Sequence, residues 1–548
     1  MKTLLSILLA IISYQSIAQF HIDTTFNHTA YNEFTHIAGN IINGNKVLYT
    51  KQNDLIVAGK WLSQISVWKY KQDGSLDPTF GFSPFGPGMG YMPVPNISEV
   101  WITDAQIQND GKIVVLADGI ISAGNTDYTQ SFITIARFNT DGTPDTSFNH
   151  TGLVVSSPYA GSEYETRALD IAEDGTIYVC GSARVYGNYH CVIGVGTWFV
   201  ASYTSAGTLN TSFNGSGIIE GPAANIALNF VPETPYAMPE DLKLIGNGRL
   251  QVAGAFHPLD SALFVLKLKT NGTYDSTYGT NGIVNTPVNQ FPYPAHDLTS
   301  MKILKNNSML LMSNNMPYLP GQPDSSIVNM LKLDANGRLD NSFATNGTTT
   351  LRTTANRVRF CEDKYGRLNF AWYNNLTPGT QDVYFFRYFA NGKPDNTFGK
   401  NGKYGHHPIP NDTYMNADIM QDIAMNSANS DITLLSLRSA TYVPNNSFRI
   451  INYIGDSTFS TGISILSTQK KSFEVYPNPC TDNIRFTAAA DCEYAIYSLK
   501  GSLILSASCL EGENEIRLPK EMSAGAYTLL ISNKKSGTVS TASFIKQN

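Results

Sequence analysis

The sequence predicts an all-β chain, a seven-bladed β-propeller followed by a small Ig-like β-sandwich, and three observations predict it. A phrase of the form Asp/Asn-Gly-x-x-Asp-x-x-Phe recurs at Asp73–Gly81, Asp141–Gly152, Ala206–Gly217, Asn271–Gly282, Asn336–Gly347 and Asn391–Gly402. Weaker copies stand at Asp23–Phe26 and Asp456–Phe459. The aromatic markers Phe26, Phe80, Phe148, Phe213, Tyr278, Phe343, Phe398 and Phe459 are 54 to 68 residues apart, and a long repeated period of this kind denotes stacked units. Eight markers bound seven units; the degenerate last copy leaves six or eight blades open. Between the markers run four short strands per unit, which a sheet of that size can shield only by stacking on its neighbours.

The elements follow in chain order. Lys2, the apolar run Leu4–Ile12 and the small residues Ser16 and Ala18 describe a secretory leader (1–18) cleaved before Gln19. The run is shorter than the roughly 20 apolar residues of a membrane helix. His21–Phe34 carries an Asp-x-x-Phe and a strand-like tail with no unit before it, so it is expected to complete the last blade. The propeller is expected over 20–466. In unit two, Thr103–Gln108, Lys112–Ala117, Phe132–Phe138 and Gly152–Val155 read as strands, joined by Asn109-Asp110-Gly111 and Asp141-Gly142 turns. Later units repeat this order. Gly in these turns supplies positive φ.

The aspartates of the phrase, Asp77, Asp145, Asp275, Asp340 and Asp395, suit Asx-turns that accept the backbone N–H two residues on. The aromatic after each is expected to fill the gap between blades. Calcium at these aspartates is the competing reading, but one carboxylate per unit falls short of six or more converging oxygens, and Asn210 replaces it once. No cofactor is therefore expected.

In an antiparallel meander, the tight first-to-second and third-to-fourth turns share one face. The second-to-third and blade-to-blade connections share the other; they include Phe82–Val100, Ala183–Gly196, Gly221–Pro239, Thr286–His296, Ser313–Ser325 and Tyr404–Tyr414. Varied loops on a rigid scaffold are where ligands bind. Candidate ligand contacts there are Tyr91, Tyr186, Tyr189, Tyr293, His296, Tyr318 and His406, whose rings could stack on sugars or anchor a protein. Pro and aromatic residues that simply pin long loops are the bland alternative. Glu163 and Glu165 read as loop acids without a partner. No linear hydrolase, zinc, phosphate-loop or EF-hand motif is present.

Charged residues make up 15 % of the chain, against roughly 25 % on average, and the net charge is −6 with no basic block, which argues against nucleic acid. Cys180 and Cys191 could bridge across a loop, Cys361 reads as a buried apolar residue, and a Cys492–Cys509 bridge depends on the length of the loop at Lys500-Gly501.

After a linker at 467–472, residues 473–548 show Tyr476-Pro477-Asn478-Pro479, the Ile496-Tyr497…Gly501 hairpin, Leu518-Pro519…Gly525-Ala526-Tyr527 and the end Ser543-Phe-Ile-Lys546-Gln. These motifs, in this order, resemble the type A sorting domain of the type IX secretion system of Bacteroidota. The resemblance implies an Ig-like signal domain, the secretion machinery as partner, and a destination outside the cell or on its surface. The repeats at 21–460 resemble the delta-60 repeat family, which supports a propeller and adds little chemistry. The expected function is a monomeric, exported, non-catalytic propeller that binds a glycan or protein through its long-loop face. The rival is a carbohydrate-active hydrolase or lyase with acids from different blades around a central cleft; a structural envelope protein is the third reading.

Overall fold

In the computed structural model the described residues are 21–23, 26–28, 31–34, 42–81, 87–122, 129–158, 162–185, 195–221, 236–257, 262–287, 297–304, 307–315, 326–353, 358–374, 382–399, 403–406, 417–439, 447–454, 475–488, 492–498, 503–519, 522–533 and 539–547. Two compact units separate, one of residues 19–455 and one that includes 456–548.

Seven antiparallel sheets fill the first unit, in keeping with a seven-bladed propeller. Blade one is Ile42–Tyr49, Leu55–Trp61, Gln64–Tyr70 and Met89–Met92; blade two is Glu99–Ile107, Ile113–Ser122, Thr129–Phe138 and Leu153–Ser156. Blades three to six begin at Ser162, Tyr236, Asp297 and Arg359, and each follows the order one-two-three-four. First strands of neighbouring blades touch one another, as in blades one and two, two and three, and three and four, so strand one lines the axis and strand four is outermost. Two expectations need correction. Phe82–Val100, read as one long loop, contains the fourth strand of blade one and the start of blade two. Blade one also turns from strand two to strand three through Leu62 and Ser63 alone, with Leu62 at φ 55°.

The ring closes with the chain's other end. Blade seven takes Ala417–Met425, Ile432–Ser439 and Ser447–Ile454 from late in the chain, and both His21–Ile22 and Tyr31–Phe34 pair with its third strand. The register repeats that of every other blade. Asp77 N donates to Lys69 O at 2.8 Å and Asp145 N to Arg137 O at 2.9 Å; at the seam Asp23 N donates to Asn452 O at 2.9 Å. Asp23–Phe26 is thus the seventh copy of the phrase, supplied from the N-terminal side. Asp456–Phe459 lies outside the described residues.

The phrase does three jobs. Oδ1 of Asp77, Asp145, Asp275, Asp340 and Asp395 accepts the N–H two residues on at 3.1–3.2 Å, together with the hydroxyl of that Thr or Ser. The aromatic three residues on lies in an apolar cluster shared by two blades: Phe80 with blades one and two, Phe148 with two and three, Phe343 with five and six, and Phe26 at the seam. The residue after it is left-handed at Asn27, Gly81, Asn149, Asn214, Gly279, Ala344 and Gly399, which explains the Gly/Asn choice there. In that conformation its N–H reaches the next unit's turn, as in Asn149 N to Ala206 O at 2.8 Å and Asn214 N to Asn271 O at 2.8 Å.

A further regularity lies in the axial strands. Each of blades one to five and seven skips a residue of strand one, at Asn45, Thr103, Arg167, Glu240, Thr299 and Gln421. The bulge drives a strand-one carbonyl toward strand two, where a Cβ on Gly59, Gly181 or Gly254 would stand 1.9, 2.0 or 2.2 Å from a carbonyl oxygen. The same register position holds Ala117, Ser313 and Ser436, and Trp372 in blade six, where no bulge is seen among the described residues. Replacing Gly254 with Val should lower stability by about 1–3 kcal/mol or more through this overpacking; a thermal melt unchanged from the native chain would contradict it.

The second unit pairs Asn483–Ala488 with Gly512–Arg517 and forms a four-stranded sheet in the order Leu503–Cys509, Cys492–Ser498, Gly525–Asn533, Val539–Lys546. Cys492 and Cys509 face each other across the first two of these and form a disulfide; a register shift after Ile496 accommodates the hairpin. Cys180 and Cys361 are buried, and Cys191, the partner expected for Cys180, lies outside the described residues.

Candidate functional site at the mouth of the axial channel

Carboxylates of the axial wall are mostly taken up by neighbouring blades. Asp422 Oδ2 accepts Val47 N at 2.9 Å, Asp104 Oδ2 accepts Leu169 N at 3.0 Å, and Asp170 Oδ2 accepts Leu244 N at 2.6 Å. Lys46 Nζ lies 3.1 Å from Asp104 and Lys243 Nζ 3.7 Å from Asp241. Burial works against charge on Lys46, yet Asp104 and Asp422 hold its ammonium above the usual range. The Lys46–Asp104 pair and the three backbone bonds stitch blade to blade, while Lys243–Asp241 lies within strand one of blade four.

The repeated aspartates are equally engaged. Their second oxygens meet cations: Lys69 with Asp77 at 3.3 Å, Arg137 with Asp145 at 2.6 Å, Arg249 with Asp275 at 2.8 Å, Lys332 with Asp340 at 3.0 Å and Arg387 with Asp395 at 2.7 Å. Burial pulls the Asp145 carboxyl up, but Ser147, Lys112 and Arg137 hold it well below the carboxylate range; Thr277 and Arg249 take Asp275 down to about 2. Where the acid is Asn210, the strand-three partner is Ser202, and Asn210 Nδ2 donates to its hydroxyl at 3.1 Å. Acid and cation are lost together.

The mouth differs. Strand one enters each blade from the face of the long connections, so its first residues rim the channel there. Val100 and Ile102 are buried, while Trp101, on the alternate phase with Glu99, is 56 % exposed. Among the described residues of the axial strands it is the one large apolar side chain so exposed. Lys60 of blade one places Nζ 5.2 Å from the Trp101 ring centre and 2.6 Å from Glu99 Oε1. Across the strand pair Trp101 faces Asp118. Asp118 Oδ1 accepts the N–H of Thr166 at 2.6 Å and its hydroxyl at 2.7 Å, yet burial still pushes its carboxyl up to about 7.

Glu165 occupies in blade three the register position of Trp101 in blade two, counted from the bulge. Glu163 and Glu165 therefore sit in a strand, Ser162–Ile171, which corrects their reading as loop acids. Glu165 Oε2 lies 3.5 Å from Arg167 and 3.5 Å from the Ser182 hydroxyl, and Arg167 Nε lies 3.7 Å from Glu240 of blade four. Three consecutive blades thus bring an exposed indole and an acid-rich charge cluster to one rim.

The candidate contacts chosen from loops fare differently. Tyr91 lies in the outermost strand of blade one, half-buried with its ring edge-on to Trp61 at 6.2 Å, and not on a loop. His406 ends strand four of blade six, opposite Val383. Tyr186, Tyr189, Tyr293, His296 and Tyr318 lie outside the described residues. Trp101, Lys60 and Asp118 were missed because they occupy strand positions.

Raising a buried carboxyl toward 7 weakens the fold as pH rises. The contribution is intact below about pH 4, where Asp118 is protonated folded and unfolded, and is lost between there and about 7, because only the unfolded chain ionises it freely. Asp118→Asn keeps an acceptor for Thr166, so it should match the native chain at low pH and melt higher at pH 8; equal melts at pH 8 would refute the assignment.

In the C-terminal unit the sorting motifs meet. Asn478 Oδ1 accepts Ile545 N at 2.9 Å, Cys480 N donates to Ile545 O at 2.8 Å, and a bridge joins Cys480 to Lys546. Tyr476 exchanges both backbone hydrogen bonds with Arg485, at 3.0 and 2.6 Å, while Pro477 and Pro479 are exposed. Tyr527 stacks on Phe544 and donates to Ser523 O at 2.7 Å; Gly525, opposite Lys546, starts its strand.

Residues 474–547 match the family of secretion system C-terminal sorting domains, and residues 108–148 match a β-propeller domain of unknown function, DUF5122. No curated protein is a match for this chain. Among solved structures it is similar to a protein of unknown function from Dyadobacter fermentans, at 13 % identity and TM-score 0.39 over 66 % of this chain and 100 % of that one. It is also similar to the polysaccharide lyase Uly1, at 10 % identity and TM-score 0.42 over 75 % and 90 %. A third is PorZ, a surface component of the type IX secretion system of Porphyromonas gingivalis, at 11 % identity and TM-score 0.23 over 92 % and 82 %.

Proposed function

Because the chain carries a DUF5122 β-propeller and a C-terminal type IX secretion sorting domain, it is a propeller protein delivered outside the cell, and we propose that it binds a glycan there at the channel mouth. The observation that carries this reading is the exposure of Trp101 on a rigid axial strand. An indole left in water costs the fold apolar burial, whereas a pyranose face laid on it recovers that burial with geometric selectivity. The neighbouring carboxylates and Lys60 supply groups for sugar hydroxyls. A glycan array and calorimetry on the exported chain test the reading. Trp101→Ala should weaken the captured glycan about tenfold, the value of a well-packed aromatic contact; an array with no captured glycan, or a variant that binds as well as the native chain, would sink it.

One observation favours the hydrolase reading: Asp118 and Glu165 come from adjacent blades, and Asp118 holds a proton near neutrality. Against it, one Asp118 oxygen is committed to Thr166 and Glu165 is shared between Arg167 and Ser182. Binding without turnover accounts for both carboxyls as holders of the rim.

A further inference from the structure

We infer that the glycan is an amino sugar polymer, with a free ammonium on a pyranose stacked against Trp101. The inference rests on the glycan reading above and deepens it. Its basis is a contact the chain makes with itself: the Lys60 ammonium stands 5.2 Å from the Trp101 ring centre and 2.6 Å from Glu99. That arrangement, an ammonium beside an indole with a carboxylate closing the charge, is how cations are recognised by aromatic side chains. The indole is still 56 % exposed with Lys60 in place, so ring surface remains for a ligand.

The rim around that surface carries more acid than base. Among the described side chains Glu99, Glu165 and Glu240 are set against Lys60 and Arg167, and Lys60 is already held by Glu99. The side chains of Glu165 and Glu240 retain about a third of their exposure, 33 % and 28 %, despite sharing Arg167. A ligand ammonium entering there gains a second counter-charge, whereas a uronate would place its carboxylate beside like charges in a partly dry rim. A neutral hexose stacks but gains neither. The net charge of −6 acts in the same direction on approach.

The test is calorimetry on the full exported chain at pH 6.5 with four hexamers: glucosamine, N-acetylglucosamine, glucose and galacturonate. The glucosamine hexamer should bind about tenfold more tightly than the acetylated and neutral ones, and the galacturonate hexamer should be weakest. Raising salt from 50 to 500 mM should erase the preference for the amine. Glu165→Gln and, separately, Glu240→Gln should each lower the ratio of glucosamine-hexamer to glucose-hexamer affinity; two variants guard against a misfolded one. Equal binding of acetylated and free amines, or tightest binding of the uronate, overturns the inference while the glycan reading stands. Failure of all four with capture of another glycan through Trp101 also overturns it. Failure with every glycan defeats the parent reading as well. Tighter binding of a lysine hexapeptide than of any sugar overturns the inference in favour of a basic protein partner.

Discussion

Removal of residues 19–34 should abolish the cooperative thermal transition of the propeller, or lower it by more than any single substitution in a blade. These residues supply the outer strand of blade seven, and they contribute the seam's copy of the Asp-x-x-Phe phrase. Phe26 is 1 % exposed in a cluster drawn from blades seven and one, and loss of one such aromatic costs about 3–5 kcal/mol. Lost with it are the Asp23–Asn452 pairing and the Asn27 N to Asp73 O bond, so the sum is comparable with the roughly 5–15 kcal/mol that holds a native fold together. An open ring would also expose strand edges, and aggregation should accompany unfolding. The partner experiment moves residues 21–34 behind Ile454 through a short Asp-Gly turn of the kind that joins Tyr70 to Leu76 in blade one. That rearranged chain should regain the transition. A truncated chain that melts like the native one would show that the seam carries no load.

Breaking the Arg387–Asp395 pair should cost about 3–5 kcal/mol, the cost of leaving one buried charge without its partner. Both side chains are 1 % exposed, Arg387 Nε donates to Asp395 at 2.7 Å, and the guanidinium lies 4.6 Å from the Phe398 ring centre. The equivalent Lys69–Asp77 pair is 22 % and 11 % exposed, so water screens it and Lys69→Met should cost less. Unit three suggests the compensating change. With Ser202 and Asn210 in these places the blade holds a neutral hydrogen bond. Arg387→Ser with Asp395→Asn should therefore recover part of the loss of either single variant, a positive coupling in a double-mutant cycle. Strict additivity of the two would contradict a direct pair.

Much of this architecture is legible in the chain alone because it is repeated. Asp-Gly turns, the aromatic three residues after the Asp, and the unpaired copy at Asp23 give the unit, the blade contact and the closing element. Blade one's fourth strand was hidden: Met89-Gly-Tyr-Met92 follows a Gly/Pro-rich stretch that reads as loop. The bulge in strand one was equally hidden, although its trace is present as Gly59, Gly181 and Gly254 in strand two. Trp101 is the instructive case. In Glu99-Val-Trp-Ile-Thr103 it falls on the polar phase with Glu99 and Thr103, and that alternation was the available signal. The strand read from the sequence begins at Thr103 and the preceding connection ends at Val100, so Trp101 falls between them, whereas the observed strand runs from Glu99 to Ile107.

The sequence by itself determined the repeating unit, its turns, the ring-closing N-terminal copy and the sorting domain, because these depend on contacts within a unit or across one repeated interface. Only the tertiary structure decided which residues meet around the axis. The register position shared by Trp101 and Glu165, Lys60 reaching Glu99, and Asp118 reaching Thr166 join residues tens of positions apart on different blades. Their proximity is set by the radial stacking of sheets and the bulge in the inner strands of blades one to five and seven, and the spacing of these residues along the chain does not display it.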